Sequence, residues 1–371
     1  MKATFDREKL LTAFQLAATV APSRSPKPIL SNVKLEVGTD QTIVMATDLE
    51  IGVRIVVPGV KVEAAGACVL PIQRFGSILR ESSDAEMRIE TDGRGTTIRG
   101  ERSEFKLPAA NPDEFPAVAS FQEQSYYEIP VKLMRELIRR TVFATDNESS
   151  RYALGGVLIE MHGDKIFAVG TDGRRLAKME GQGKSVGGHQ TGDQTTIIPT
   201  RAMQVIERML SDAESDVQLA ARGNDVLIKT SRATIYSRLV EGRFPRWRDV
   251  FPRRDDASKI ELVVGPFHAA VRQAQITTSE ESRGVDFAFG DGKVVLVARA
   301  ADVGQSRVDL PVAYDGPNIA IMLDPRYVAD FLRVLEPERT FTFDLKDSES
   351  AGVCSTDDGY GYVIMPLARD H

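Results

Sequence analysis

Four histidines, two cysteines and a scatter of paired acids are the residues of this 371-residue chain best suited to covalent or metal chemistry. His162, His189, His268 and His371 are far apart, show no HExxH spacing and have no partnering cysteines, so they assemble no metal site. Cys68 and Cys354 form no CxxC pair and suit a reducing cytosol better than a disulfide framework. GxxxxGK(S/T) does not occur. The run GQGKSVG, from Gly181, has the look of a phosphate-binding turn, but it neither follows a strand directly nor opens a helix, and it reads as plain loop. Asp357 and Asp358 lie in turn-like sequence, where solvated turns are the ordinary case. No catalytic residue, metal ligand or cofactor site is expected.

The cations are more informative. In VKLMRELIRRTVF, from Val131, a 100° helical projection puts Lys132, Arg135, Glu136, Arg139 and Arg140 on one face, opposite Met134, Leu137, Ile138 and Val142. Three further amphipathic segments carry arginines six or seven positions apart, near one face of each: Arg74 and Arg80, Arg201 and Arg208, Arg326 and Arg333. For any one helix a solvated surface explains such a bias. Its recurrence in a chain of net charge −6 points to a basic surface on an otherwise negative body. That surface suits a phosphate backbone, contacted without regard to sequence and sensitive to salt.

The elements carrying these residues recur. MATDLEIGVR, VGTDGRRLAK and VARAADVGQSR each follow an alternating strand; Asp48 to Asp172 is 124 positions and Asp172 to Asp302 is 130. VLPIQRFGSILRE, IIPTRAMQVIERML and MLDPRYVADFLRVL follow in phase, each a strand end, a proline and a helix. Phe115-Pro116, Phe244-Pro245 and Met365-Pro366 close the units. A period this long means tandem copies of a whole domain rather than a solenoid. Each unit opens with a helix and is otherwise mostly strand, so the expected fold is α+β: three copies of a two-helix, roughly eight-strand domain spanning 1–122, 123–254 and 255–371. Residues 181–194, with Val186 their one aliphatic residue, are expected to form a mobile loop.

Composition is that of an ordinary globular protein, with no apolar run long enough to span a bilayer and no apolar segment at the start to mark export. A cytoplasmic protein without membrane contact is expected.

KPILSNVKLEV, TDLEIGVR, SSRYALGGVLIE, GTDGRRLA, RLVEGRFPRWRDVFP, ESRGVDFAF and the terminal YVIMPL, in order and end to end, resemble the bacterial DNA polymerase III beta subunits, the sliding clamps. The resemblance implies a head-to-tail homodimeric ring, helices lining the hole and sheets outside, that encircles double-stranded DNA. Its partners would be the replicative polymerase, the clamp loader, other polymerases and repair proteins, captured through short linear motifs. The implied peptide groove comprises Arg151, Leu154, Thr171, Gly173, Arg174, Leu176, Pro245, Val250, Val363, Met365, Pro366 and Leu367. Implied DNA contacts are Arg24, Tyr152 and the inward helix cations Arg74, Arg80, Lys132, Arg135, Arg139, Arg140, Arg201, Arg208, Arg326 and Arg333. The implied dimer contact joins Phe105 and Leu107 to the region of Ile276. Arg174 stands where many relatives carry histidine, Ala153 where many carry an aromatic, Glu104 sits among Arg99 and Arg102, and the chain runs on through Ala368 to His371.

The expected activity is therefore that of a non-catalytic processivity factor. A ring-forming scaffold that ignores DNA, or an enzyme of DNA metabolism with an unrecognised active site, are the alternatives. The basic helix faces disfavour the first, and the lack of clustered His, Asp or Glu disfavours the second.

Overall fold

In the computed structural model the repeat begins at the level of single hydrogen bonds. Thr47 Oγ1 accepts from the Leu49 N–H at 2.9 Å and donates to the Ile51 carbonyl at 2.8 Å, while Asp48 Oδ1 accepts from the N–H groups of Glu50 and Ile51. One repeat later Thr171 and Asp172 make the same four bonds to Gly173, Arg174 and Arg175. Both turns need a positive φ at the third residue: Gly173 sits at 85°, and Leu49 adopts 82° despite its Cβ, held there by the four bonds. In the third copy Ala301 replaces the threonine, so the hydroxyl bonds cannot form, and Gly304 takes the positive φ instead, at 123°.

The structure describes every residue except 93, 147, 149–152, 192–194, 211–214, 252–255 and 369–371. Among the described residues are seven α-helices: α1 (Arg7–Ala18), α2 (Ile72–Glu81), α3 (Val131–Arg139), α4 (Thr200–Met209), the single turn α5 (Trp247–Val250), α6 (Val264–Gln275) and α7 (Pro325–Arg333). Helix starts follow the local sequence. Asp6 caps α1 by accepting from the Lys9 N–H, and Asp324 caps α7 by accepting from the Arg326 N–H, with Pro325 in the first turn, where its missing N–H costs nothing. The helices that follow a proline signal bury one stripe and leave arginines outside it: Phe75, Ile78 and Leu79 in α2, Ala202, Met203 and Ile206 in α4, Val328, Phe331 and Leu332 in α7. Gly76 is required by packing, since a Cβ there would lie 2.8 Å from the Phe14 ring of α1. That proximity lets Phe14 and Phe75 meet edge to face at 5.2 Å.

The chain forms two compact units. The first comprises Met1–Met134, Gly183–Gln194 and Arg201–Leu239; the second comprises Arg135–Gln182, Thr195–Thr200 and Val240–His371. Strands of the central repeat thus contribute to both. The first unit contains a five-stranded and a nine-stranded sheet, the second an eight-stranded and a four-stranded sheet, and adjacent strands are antiparallel throughout.

Each large sheet is continuous across a repeat boundary. In the first unit Ile51–Val57 pairs with Ala233–Arg238, Ile235 opposite Val53. In the second Arg175–Gln182 pairs with Tyr360–Ile364, Leu176 opposite Val363. The bonds that extend these ladders also correspond: the Arg238 N–H donates to the Glu50 carbonyl and the Met365 N–H to the Arg174 carbonyl, both at 2.9 Å.

The loop expected over 181–194 is in part a strand. Lys184–Val186 pairs with Tyr126–Glu128, and His189 is only 8% exposed. The Ala221 N–H donates to His189 Nε2 at 3.2 Å and Ser125 Oγ lies 3.3 Å from Nδ1. A histidine rather than an aliphatic residue anchors the segment, which is why a search for apolar residues overlooked it.

Candidate functional site

The second unit carries a cleft of about 620 Å³ where the chain leaves its last strand. The Thr171-Asp172 turn presents Arg174 at one side, and the tail Met365, Pro366, Leu367 and Ala368 forms another wall. Two backbone bonds fix that tail: Met365 donates to Arg174, and Leu367 donates to the Met322 carbonyl at 2.9 Å. Met322 and Tyr327 complete the apolar side, and Asp324, Glu281 to Gly284 and Arg299 also line the cleft. Met365 is 45% exposed, an unbranched thioether offered to solvent beside a tyrosine ring.

Arg175 fixes these walls from beneath. Its guanidinium donates to Asp172 at 2.9 Å, to Asp330 on α7 at 2.6 Å and to the Phe143 carbonyl at 2.7 Å, and lies 4.5 Å from the centre of the Tyr327 ring. Burial opposes its charge, but Tyr362, Asp330 and Asp172 outweigh burial and hold the proton more tightly than usual. At Arg174 it is Tyr327 first, then Asp172 and Asp324, that raise the guanidinium above its ordinary value.

The expected groove residues divide among three places. Arg174, Met365, Pro366 and Leu367 line this cleft directly. Thr171 and Gly173 build the turn that presents Arg174, while Leu176 and Val363 are core residues, packed with Ala153, Phe244 and Trp247 in one buried cluster. Leu154 is buried as well, Pro245 is half-buried, and Val250 is exposed on α5. Arg151 lies outside the described residues. Tyr327, Met322, Arg283 and Arg299 were missed. Tyr327 follows Arg326 on a helix whose repeat phase had been recognised, but phase alone does not say which helix borders the tail.

The helix cations also divide. Arg74 and Arg80 on α2 are exposed and carry no ion pair among the described residues, and Arg208 on α4 is exposed. Lys132 and Arg139 are exposed on α3 and Arg135 is half-buried. Arg201 is paired with Asp48 and donates to the Val20 carbonyl; Arg326 is held by Asp324 at 2.8 Å and Arg333 by Asp330 at 2.8 Å. Arg24 is exposed in its loop, and Tyr152 lies outside the described residues.

Arg140 corrects the expectation. It is 5% exposed, with Nε 2.6 Å from Glu136, Nη1 2.7 Å from Asp358 and its guanidinium over the Tyr360 ring. The Arg140 N–H still donates to the Glu136 carbonyl at 3.0 Å, so its backbone keeps the helical register; the ion pairs with Glu136 and Asp358 are what turn its side chain inward. Unlike the exposed Arg139, it has its charge engaged within the second unit.

Of the expected dimer residues, Phe105 and Leu107 lie on Glu104–Pro108, the edge strand of the five-stranded sheet. Leu107 is buried and Phe105 is 37% exposed beside a cleft of about 570 Å³ shared with α2. Arg99 is paired with Glu104 at 2.7 Å within the chain. Ile276, at the end of α6, is 74% exposed. Among the described residues no group of three or more His, Cys, Asp or Glu side chains is placed to hold a metal ion. Among the described residues no helix is long and apolar enough to cross a membrane.

Residues 1–119 match the description "DNA polymerase III beta subunit, N-terminal domain", residues 128–246 its central domain and residues 248–368 its C-terminal domain. The beta sliding clamp of Pseudomonas aeruginosa is 30% identical over 377 residues, with 99% of this chain and 100% of that protein covered. The crystal structure of the DNA polymerase III subunit beta from Pseudomonas aeruginosa superposes with a TM-score of 0.90 at 28% identity over the full length of both chains. A sliding clamp from Bacillus subtilis, 23% identical, gives 0.91 over the same coverage and speaks to the fold alone.

Proposed function

Since the chain belongs to the DNA polymerase III beta subunit family, the bacterial sliding clamps, and has the three clamp domains of a non-catalytic processivity factor, we propose that it closes around duplex DNA as a head-to-tail homodimer. The observation that carries this reading is the repeated placement of Arg74 and Arg80, Arg201 and Arg208, and Arg326 and Arg333 outside the buried stripe of α2, α4 and α7. An acidic chain that repeats cations along these helices would repel DNA over much of its surface and accept phosphates there. Lys132, Arg135, Arg139 and Arg24 join them, with Tyr152 carried over from the family.

The domains run 1–122, 123–254 and 255–371. Self-association uses the edge strand Glu104–Pro108 with Phe105 and Leu107, docked near Ile276 of a second copy. Unlike surfaces joined head to tail must close into a ring or grow into a filament, and two three-domain chains are enough to close. The Met365–Leu367 cleft, with Arg151, Leu154, Thr171, Gly173, Arg174, Leu176, Pro245, Val250 and Val363 of the wider groove, takes short linear motifs of the replicative polymerase, the clamp loader, other polymerases and repair proteins. Adaptable methionine and an aromatic wall suit several related peptides. The setting is cytoplasmic, at the nucleoid.

Topology provides the test. After loading onto nicked circular duplex, the protein should persist through a high-salt wash and leave quickly once the circle is cut. Equal persistence on circle and linear DNA would overturn the ring.

A further inference from the structure

The charge at the cleft is lopsided once each group's partners are followed. Three arginines, Arg174, Arg283 and Arg299, line it against two carboxylates, Glu281 and Asp324. Asp324 is spent: its side chain is almost fully buried, accepts from the Arg326 N–H to cap α7 and is held by the Arg326 guanidinium at 2.8 Å. Arg283 is turned toward its own segment, donating to the Glu280 carbonyl at 2.8 Å with the Glu280 carboxylate 3.8 Å away. What remains is Arg174, whose nearest anionic neighbours Asp172 and Asp324 are both already engaged, and Arg299, which has no ion pair among the described residues. Among the described residues lining the cleft, Glu281 alone opposes them. Between these cations lies the apolar surface of Met322, Tyr327, Met365 and Leu367.

Apolar contact there gives affinity with little discrimination among hydrophobic segments, because side chains of similar size fit a methionine-lined cleft about equally. Charge at the rim discriminates. Two arginines facing solvent beside an apolar floor favour a ligand whose hydrophobic centre is flanked by carboxylates and disfavour one flanked by lysine or arginine. Resting on the groove reading above, we infer that Arg174 and Arg299 are specificity-determining residues and that the preferred ligands of this cleft are short peptides with an apolar centre and acidic flanks. The guanidinium fork of either arginine can accept a carboxylate in a bidentate pair. Both sites are open to water, so each pair is worth roughly a two- to fivefold change in affinity, and the effect weakens with salt.

The test compares two fluorescein-labelled octapeptides that share a Leu-Leu-Phe centre, one with Asp and Glu flanks and the other with Asn and Gln at the same positions. Anisotropy titrations on the full-length protein give the ratio of their affinities. At low salt the acidic peptide should bind about four- to twenty-fivefold more tightly, two exposed pairs acting together. That ratio should shrink toward one at 0.5 M NaCl, a series that needs no variant. In the Arg174→Gln/Arg299→Gln double variant it should also fall to about one, with circular dichroism reporting on folding. Equal binding of both peptides by the wild-type protein, or a ratio unmoved by salt and by the double variant, would overturn the acidic preference and leave the groove standing. Binding of neither peptide would overturn the groove reading itself, and this inference with it.

Discussion

Replacing Arg140 by alanine should destabilise the second unit while leaving the grip on DNA intact, whereas Arg139→Glu should do the reverse. Two neighbours in sequence are thereby assigned opposite roles. The side chain of Arg140 is buried, pairs with Glu136 at 2.6 Å and Asp358 at 2.7 Å, and covers the Tyr360 ring at 5.2 Å. Removing one member of a fully buried pair costs about 3–5 kcal/mol, but here the stranded carboxylates are about one-third exposed and recover part of their hydration. Two discounted pairs and the lost cover over Tyr360 together amount to about 2–3 kcal/mol. For a unit of this size that is a drop of roughly 5–10 °C in melting temperature.

The same pair predicts a pH signature. Burial acts to raise the Asp358 carboxyl, but bonds from Thr356 and Arg140 with the charge of Arg339 outweigh it and hold it below 3.8. A depressed carboxyl contributes stability that is present above 3.8 and lost as pH falls through the lower folded value. The melting gap between wild type and Arg140→Ala should therefore be full at pH 7 and narrow near pH 3. Hydrogen exchange in Tyr360–Ile364 should rise in step at pH 7. An Arg140→Ala protein that melts with wild type yet fails to stay on circular DNA would refute the assignment and return Arg140 to the DNA-contacting face.

Changing Arg74, Arg80 and Arg208 together to glutamine removes six cations from the dimer and should reduce the slope of log affinity against log salt by up to about 5 on duplex DNA while the solution mass stays that of wild type; an unchanged slope would remove these helices from the interface. Phe105→Arg should shift the mass at low micromolar concentration to that of a single chain, and a mass unaffected would place self-association elsewhere. Met365→Lys should abolish capture of apolar peptides, and retained affinity would show that they bind away from the tail. Burial lowers the His189 imidazole below 6.5, so the unfolded chain takes up a proton first and stability is lost as pH falls from 6.5 through the folded value. Exchange in Lys184–Val186, corrected for intrinsic rate, should thus be faster at pH 5.5 than at 7.5, and His189→Gln should remove the difference; pH-independent exchange in the wild type would refute His189 as the anchor of this segment.

Helix starts, strand periodicity and the repeat were legible in the sequence because they are local. Asp6 and Asp324 reach N–H groups within three residues, Thr47 and Thr171 close turns within four, and the buried stripes of α2, α4 and α7 follow from helical spacing. The cationic faces were legible for the same reason. The fate of an individual cation was not. Arg139 and Arg140 are identical letters side by side, and what separates them is an aspartate 218 positions away.

The cleft shows the same division. Met365, Pro366 and Leu367 stood out as an apolar tail, but Tyr327, Met322 and Arg299 enter only because a backbone bond from Leu367 to Met322 draws the tail onto a second sheet. Leu176 and Val363 went the other way, paired across a ladder and closed into the core. By itself the sequence determined which elements form, how often they recur and which faces are charged, since those depend on neighbours a few residues apart. Tertiary structure decided which of those side chains meet solvent, because burial and ion pairing depend on partners that only the folded chain brings within a few ångströms.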